Sequence, residues 1–154
     1  MEALLVSACL LGFDCKYSGG NNALPAETLE MLRTKYRLIP VCPEVMGGLP
    51  TPRTPSERRG ERVVTRDGRD VTAEYEKGAA LALRLAERYG CRAALLKSRS
   101  PSCGSGEIYD GSFSGRLIPG YGTAAELLHD LGVAVCGEGR IGELLIEEPE
   151  TGDA

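Results

Sequence analysis

The sequence predicts an α/β fold: a Rossmann-like, open and mainly parallel sheet with helices on both faces. Three observations carry this. Short apolar runs of strand length alternate with longer segments of helical periodicity, the pattern of parallel strands joined by covering helices. Glycines and other turn formers punctuate the segment ends. The chain has 154 residues, one domain's worth, and its apolar (42%) and charged (26%) fractions are those of an ordinary globular protein able to bury a core.

The elements follow in order. Residues 3–7 (ALLVS) read as a buried strand. Residues 25–36 read as a helix, with Pro25 at its start and Leu29, Leu32 and Tyr36 at helical spacing. Residues 37–41 (RLIPV) make a second strand, weakened by Pro40, which cannot donate to a ladder. Residues 43–60 are rich in Pro and Gly and read as an irregular, extended loop. Residues 62–71 suggest a hairpin turning at Asp67-Gly68. The longest helix spans 72–89, with Tyr75, Ala79, Ala82, Leu83 and Ala86 on its apolar face and Gly90 closing it. Residues 92–97 are the third strand, 98–106 a loop of small residues, and 107–115 a second hairpin about Asp110-Gly111. Thr123 and Glu126 fit a capping box that opens a helix to Leu131, which Gly132 ends. Residues 133–136 are the fourth strand. This reading gives a single domain over residues 1–148, with the acidic end of the chain, from Glu147 and chiefly residues 149–154, as a frayed tail.

Composition narrows the partners. A net charge of −4 argues against duplex nucleic acid, and the absence of Trp argues against a base-stacking platform. The apolar runs are far shorter than the roughly 18–20 residues needed to span a bilayer. The apolar N-terminus carries Glu2 where a signal peptide would carry Lys or Arg. The expectation is a soluble, cytoplasmic protein without nucleic-acid or membrane partners; its oligomeric state stays open.

Six cysteines then need a role. In a reducing compartment such a count points to metal binding, catalysis or buried packing. No pair is spaced CxxC, so a zinc ribbon and a thioredoxin-type motif are both poorly supported. Cys9, Cys42 and Cys103 each follow a predicted strand, and Cys136 ends the fourth. Four cysteines from separate segments therefore gather at the carboxyl rim of the sheet, where open α/β sheets bind ligands. Soft thiolates in one crevice select iron–sulfur clusters or zinc. The alternative is that some are small buried hydrophobes, the reading taken for Cys91. Spacing leaves Cys15 undecided. The loops around Cys42 and Cys103 are rich in Gly, Ser and Pro, which favours backbone N–H groups turned toward sulfur.

Three blocks, VSACLLG at 6–12, CPEVMGGLPTPR at 42–53 and LKSRSPSCG at 96–104, resemble the thiouracil desulfidases, a TudS-like family long catalogued as domain-of-unknown-function family 523. The resemblance covers nearly the whole chain. It implies a [4Fe-4S] cluster held by Cys9, Cys42 and Cys103, with one iron left without a protein ligand to capture the sulfur of a thiolated pyrimidine base. It implies a catalytic carboxylate at Glu44 and a catalytic serine at Ser100, with 2-thiouracil converted to uracil plus hydrosulfide. It also implies that the open iron makes the protein oxygen-sensitive. Departures stand out. The family commonly reads C-R-Y-D-G or V-R-Y-D-G where this chain has Cys15-Lys16-Tyr17-Ser18-Gly19, so Cys15 is not an essential ligand and the role of Ser18 is open. The family tends to Ser-Glu where this chain has Cys136-Gly137-Glu138. Spacing alone would make Cys136 a fourth ligand; the resemblance implies otherwise, since a closed site has no iron for substrate.

The chemistry agrees with those residue types. Net hydrolysis of a C–S bond needs no external electrons but needs an activated water, and Glu44 is the carboxylate within the cysteine loops. Ser100 would donate a hydrogen bond or relay a proton. Otherwise Glu44 is a solvated loop carboxylate and Ser100 a turn serine before Pro101. Lys97 reads as a surface charge, Arg99 as surface or an anion partner, and Arg53 as holding either the loop or a substrate carbonyl. His129, the one histidine, lies far from the cysteine blocks and reads as structural. A cluster-bearing sensor or sulfur carrier without turnover is the alternative to an enzyme, and a structural zinc protein is a third reading.

Overall fold

The computed structural model describes residues 1–146. The acidic tail expected from Glu147 lies outside the described residues.

Four parallel strands form the central sheet: β1 (Glu2–Ser7), β2 (Tyr36–Val41), β5 (Ala93–Leu95) and β8 (Ala134–Cys136), in the order β2-β1-β5-β8. The mixed α/β architecture with a parallel sheet agrees with the alternation in the sequence. β2 is an edge strand, which explains how it accommodates Pro40: an edge has a side on which no ladder donor is needed. Side chains alternate across the sheet. Leu4, Val6 and Leu95 pack on one face with Leu32 of α1 (Ala26–Lys35) and Leu144 of α5 (Ile141–Leu145). Leu5, Ala94 and Leu96 pack on the other with Ala82 and Ala86 of α3 (Thr72–Tyr89) and Ala125 and Leu128 of α4 (Thr123–Asp130). Helices therefore cover both faces.

α3 spans Thr72–Tyr89, as its periodicity predicts, and Gly90 ends it in the left-handed region at φ 65°. Its buried face is Tyr75, Gly78, Ala79, Ala82 and Ala86. α4 starts one residue from the expected cap, at Gly122, and no capping box forms. Loop carbonyls take its first amides instead: Thr123 N–H donates to Pro101 O, and the Ala124 and Ala125 amides donate to Ser102 O. Glu126, freed from capping, pairs with Arg58 at 3.0 Å.

The Pro-rich segment is more ordered than its composition suggests. It contains a one-turn helix, α2 (Pro43–Met46), and a strand, β3 (Ser56–Arg59), paired antiparallel with β4 (Arg62–Thr65). The hairpin thus turns at Gly60-Glu61. Asp67-Gly68 is also a tight turn, but it returns the chain only far enough for one bridge, Val64 to Asp70. The second hairpin pairs β6 (Ser105–Tyr109) with β7 (Leu117–Tyr121), so Asp110-Gly111 opens its loop and does not form a two-residue turn.

α2 matters most for the site. It lies so close to α3 that a Cβ on Gly78 would stand 1.9 Å from Pro43 O, and one on Gly47 would stand 2.0 Å from Glu74 O. Two glycines allow backbone-to-backbone contact and fix where α2 begins.

Candidate active site

The strand order reverses beside β1: the chain leaves β1 for β2 on one side and returns to β5 on the other. Loops on either side of such a switch point diverge and open a crevice beyond the carboxyl ends. Here the segments after β1, β2 and β5 line one cleft of about 610 Å³.

Cys9 lies in the one-turn 3-10 helix (Ala8–Leu11) directly after β1. Cys42 follows β2 and caps α2. Cys103 sits in the loop after β5, packed on the start of α4. All three line the cleft, so the structure brings the three expected ligand positions together. Cys15 lines it too, whereas Cys136 does not. Cys136 ends β8 with its side chain in the core cluster of Leu4, Val6, Leu95 and Leu144, because strand alternation turns it beneath the sheet. The expectation of four rim cysteines including Cys136 is corrected accordingly. Cys91 is buried with Ala86 and Val133, as expected.

Burial disfavours the thiolate at Cys9, Cys15 and Cys103. Burial pushes Cys103 up to about 12, opposed by hydrogen bonds from Ser102 and Ser7 and reinforced by Glu44 and Cys42. Burial, then the adjacent Cys42, pushes Cys15 up to about 12. Burial raises Cys9 as well, against a hydrogen bond from Asn22 and the charge of Lys97. The donors to sulfur are therefore side chains. The amides of Ser102 and Cys103 turn to Ser100 Oγ, at 3.1 Å each, and not to sulfur as the loop composition suggested.

Among the described residues no three His, Cys, Asp or Glu side chains converge closely enough for a single metal ion. Three soft thiols lining one cleft are a donor set that suits an iron–sulfur cluster or zinc. Charge agrees. The chain is net negative, yet the cleft is lined by Lys16, Arg53, Arg66, Lys97 and Arg99 against Glu44 and Glu57. Arg53, Lys97 and Arg99 are paired with Glu44, Glu138 and Glu107, so Lys16 and Arg66, against Glu57, are the lining charges left to meet three thiolates.

Glu44 occupies the first turn of α2, beside the thiols. Its Oε1 accepts from Arg53 Nε at 3.1 Å and its Oε2 from Ser102 Oγ at 3.0 Å. Ser102 Oγ, with its one proton directed to Glu44, also lies 3.1 Å from Ser100 Oγ and 3.5 Å from Cys103 Sγ. Glu44 and Ser100, 56 positions apart in the chain by number, are thus joined through one hydroxyl. Arg53 also donates to the carbonyls of Cys15 (2.9 Å) and Pro50 (3.2 Å) and to Thr51 Oγ1 (3.0 Å). Of its two expected roles it takes the first, holding the loop.

Other expected positions divide. Lys97 is not a free surface charge: its Nζ meets Glu138 Oε2 at 2.7 Å and it lines the cleft. Glu138 also accepts from Ser98 N–H; these bonds outweigh burial and hold its carboxyl below the usual range. Arg99 adopts φ 66°, rare for a residue with a Cβ, lines the cleft and pairs with Glu107 at 3.3 Å. Ser18 is exposed and outside the lining. His129 stacks on Tyr121 at 4.9 Å between ring centroids, away from the cleft. Sequence reasoning missed Ser102, though it stands beside Cys103 in the same block. It also missed Phe113, Tyr109 and Arg66, which the two hairpins bring to the cleft lining and which no local signal marks.

The chain is similar to known proteins along nearly its whole length. A chain solved as the [4Fe-4S]-dependent thiouracil desulfidase TudS (DUF523) superposes with a TM-score of 0.89 at 49% identity, covering 94% of this chain and 95% of that one. The uncharacterized protein YbbK of Bacillus subtilis (strain 168) is 40% identical over 152 residues, 92% of this chain and 99% of its own. A model of the 2-thiouracil desulfurase family matches residues 4–139, a span that includes β1, the switch-point cleft and every cysteine of the chain. With the family expected from the three cysteine blocks now matched along the chain, the protein belongs to the 2-thiouracil desulfurase family.

Proposed function

We propose that this protein is a [4Fe-4S]-dependent desulfidase that removes sulfur from a thiolated pyrimidine base, converting 2-thiouracil to uracil and hydrosulfide. The observation that carries the reading is the meeting of Cys9, Cys42, Cys103 and the Glu44 carboxylate in one cleft. A sensor or carrier has no use for a carboxylate held beside its thiols by an arginine and a serine. The 49% identity to TudS over nearly the whole of both chains supports the same cofactor and reaction class.

Cys9, Cys42 and Cys103 are the residues that hold the cluster. When bound, it supplies a soft iron able to polarise the thiocarbonyl sulfur. The chain supplies the rest. Glu44 is the general base: with one acceptor site on each oxygen taken by Arg53 and Ser102, each oxygen keeps another for a water. Arg53 fixes the carboxylate's direction. Ser100 donates to the substrate, with two backbone amides holding its Oγ in place. Phe113, Tyr109 and Tyr17 line the same cleft and supply aromatic surface for a pyrimidine ring.

Glu44→Gln tests this. The substitution keeps size and hydrogen-bond capacity but removes the base. Both proteins are reconstituted without oxygen, 2-thiouracil is added, and uracil and sulfide are followed. The variant assembles its cluster and turns over about 10²- to 10⁴-fold more slowly, the usual contribution of a positioned base. A wild type that holds an intact cluster and releases neither product returns the protein to the sensor reading.

A further inference from the structure

The proton acceptor and the serine of the proposed reaction do not touch each other, and one buried side chain fills the gap. Resting on the desulfidase reading, we propose that Ser102 is the proton bridge between Glu44 and Ser100, completing a three-residue relay.

The geometry is closed on all sides. Ser102 is 1% exposed, so water does not compete for its hydroxyl. Its Oγ stands 3.0 Å from Glu44 Oε2 and 3.1 Å from Ser100 Oγ. Its backbone is held as firmly. Its carbonyl accepts the Ala124 and Ala125 amides of α4, and its own amide donates to Ser100 Oγ at 3.1 Å. A Cβ on Gly122 would stand 2.5 Å from Ser102 C, so α4 closes directly over this turn. The hydroxyl has one proton and three neighbours, Glu44 Oε2, Ser100 Oγ and, farther off at 3.5 Å, Cys103 Sγ; the two oxygens are the ones at proton-transfer distance. Satisfying a buried serine requires only one partner; placing it between two reacting groups is more than burial asks.

The relay balances. Water adds its oxygen to the thiocarbonyl carbon, the C=S π pair moves to sulfur, and the water proton goes to Glu44 Oε2. Glu44 passes that proton to Ser102 Oγ, Ser102 passes its own to Ser100 Oγ, and Ser100 passes its own to sulfur. Both serines end neutral and Glu44 ends as a carboxylate. The remaining hydroxyl proton returns to Glu44 as the carbonyl forms. The C–S bond then breaks with its electron pair on sulfur, which leaves as hydrosulfide. The net change is C=S plus water to C=O, HS⁻ and a proton, with nothing oxidised or reduced. The direction Ser102 serves is set by which neighbour holds the extra proton, since its Oγ can donate to either oxygen.

Ser102 acts through Glu44 and Ser100, so the test must separate relay from support. Wild type, Ser102→Ala and Ser102→Thr are reconstituted without oxygen, their iron and sulfide contents are matched, and single-turnover uracil release from 2-thiouracil is followed in H₂O–D₂O mixtures. Ser102→Ala loses about 10²-fold in the single-turnover rate at saturating enzyme, with the half-saturating concentration unchanged, the lower end of what a placed proton-transfer group contributes. Ser102→Thr, which keeps the hydroxyl, recovers most of it. The wild-type rate is bowed against deuterium fraction, as several protons in flight require, and the Ser102→Ala rate is linear. A second readout needs no cluster. In the cluster-free chain the Glu44 carboxylate infrared band, identified by its loss in Glu44→Gln, shifts in Ser102→Ala and returns in Ser102→Thr. A wild-type rate in Ser102→Ala, a linear wild-type inventory, or an unmoved carboxylate band each overturns the relay while leaving the desulfidase standing. If Ser102→Ala fails to load its cluster, the wild-type inventory and the infrared band decide alone. If wild type with an intact cluster releases no uracil, the desulfidase reading falls and takes the relay with it.

Discussion

Arg53 Nε meets Glu44 Oε1 at 3.1 Å with both side chains largely withdrawn from water, 6% and 15% exposed. The same guanidinium ties down the carbonyls of Cys15 and Pro50, so one residue aims the proposed base and braces two loops of the cleft. Removing one partner of a buried pair strands the other, at a cost of about 3–5 kcal/mol. Arg53→Ala therefore loses about that much stability. Arg53→Lys regains part of it, because an ammonium cannot reproduce the planar fork that reaches carboxylate and carbonyls together. Urea unfolding without oxygen measures both. An Arg53→Ala chain within about 0.5 kcal/mol of wild type, the range of ordinary surface changes, shows that the pair is solvated.

Gly78 tests the seat of α2. With a Cβ placed 1.9 Å from Pro43 O, Gly78→Ala must push the two backbones apart. Overpacking of this kind costs about 1–3 kcal/mol. Because Cys42 and Glu44 flank Pro43, cluster loading falls along with the melting temperature. Gly68→Ala is the control; nothing lies within 4 Å of its Cβ, and although its φ of 87° brings backbone strain, loading stays intact. Equal iron content in Gly78→Ala and wild type contradicts the tight seat.

The ligand set predicts a division among the six cysteines. Cys9→Ala, Cys42→Ala and Cys103→Ala each lose the brown chromophore, while Cys15→Ala, Cys91→Ala and Cys136→Ala keep it. Iron and acid-labile sulfide per chain are the measures. Full occupancy in Cys103→Ala refutes the assignment, and loss in Cys15→Ala makes that cleft thiol a fourth participant.

Loading also depends on pH, with a definite sign. Burial raises Cys9 and Cys103, the latter to about 12, so both are thiols in the cluster-free chain at neutral pH. Each must release its proton to bind iron, so acid opposes assembly and alkali favours it. Iron incorporated under limiting reagent rises throughout about pH 6.5 to about pH 8.5, without levelling off, because the raised thiols are still protonated across that range. Incorporation that is flat across this range shows that the ligands are already thiolates before iron arrives.

Much of this was legible in the residues alone. An 18-residue helix with an apolar stripe and a closing glycine is specified locally, and α3 runs from Thr72 to Tyr89 as its periodicity says. The alternation of short apolar runs with helices sufficed for a parallel α/β sheet, because that alternation leaves few other ways to bury both faces. Cys9, Cys42 and Cys103 each follow a strand, so order alone brings them to the carboxyl rim, but the same reasoning brought Cys136 there, which the structure turns into the core. What misled was anything decided at a distance. Thr123 and Glu126 have the spacing of a capping box, yet Pro101 and Ser102 carbonyls cap α4 and Arg58 takes Glu126. α2 is only four residues long, too short for periodicity to show, and owes its place to contact with Gly78.

By itself the sequence determined the fold class and placed Cys9, Cys42 and Cys103 at one rim, with Cys136 wrongly beside them; the resemblance to a known family singled out Glu44 and Ser100. Only the tertiary structure decided that Cys15 faces the cleft while Cys136 turns into the core, that Lys97 is paired, and that Ser102 stands between Glu44 and Ser100. The reason is one of range. Strand and helix patterns are written within a few residues of each other. A hydrogen bond from Ser102 to Glu44 joins residues 58 apart in the chain, and its formation depends on how two loops and two helices pack.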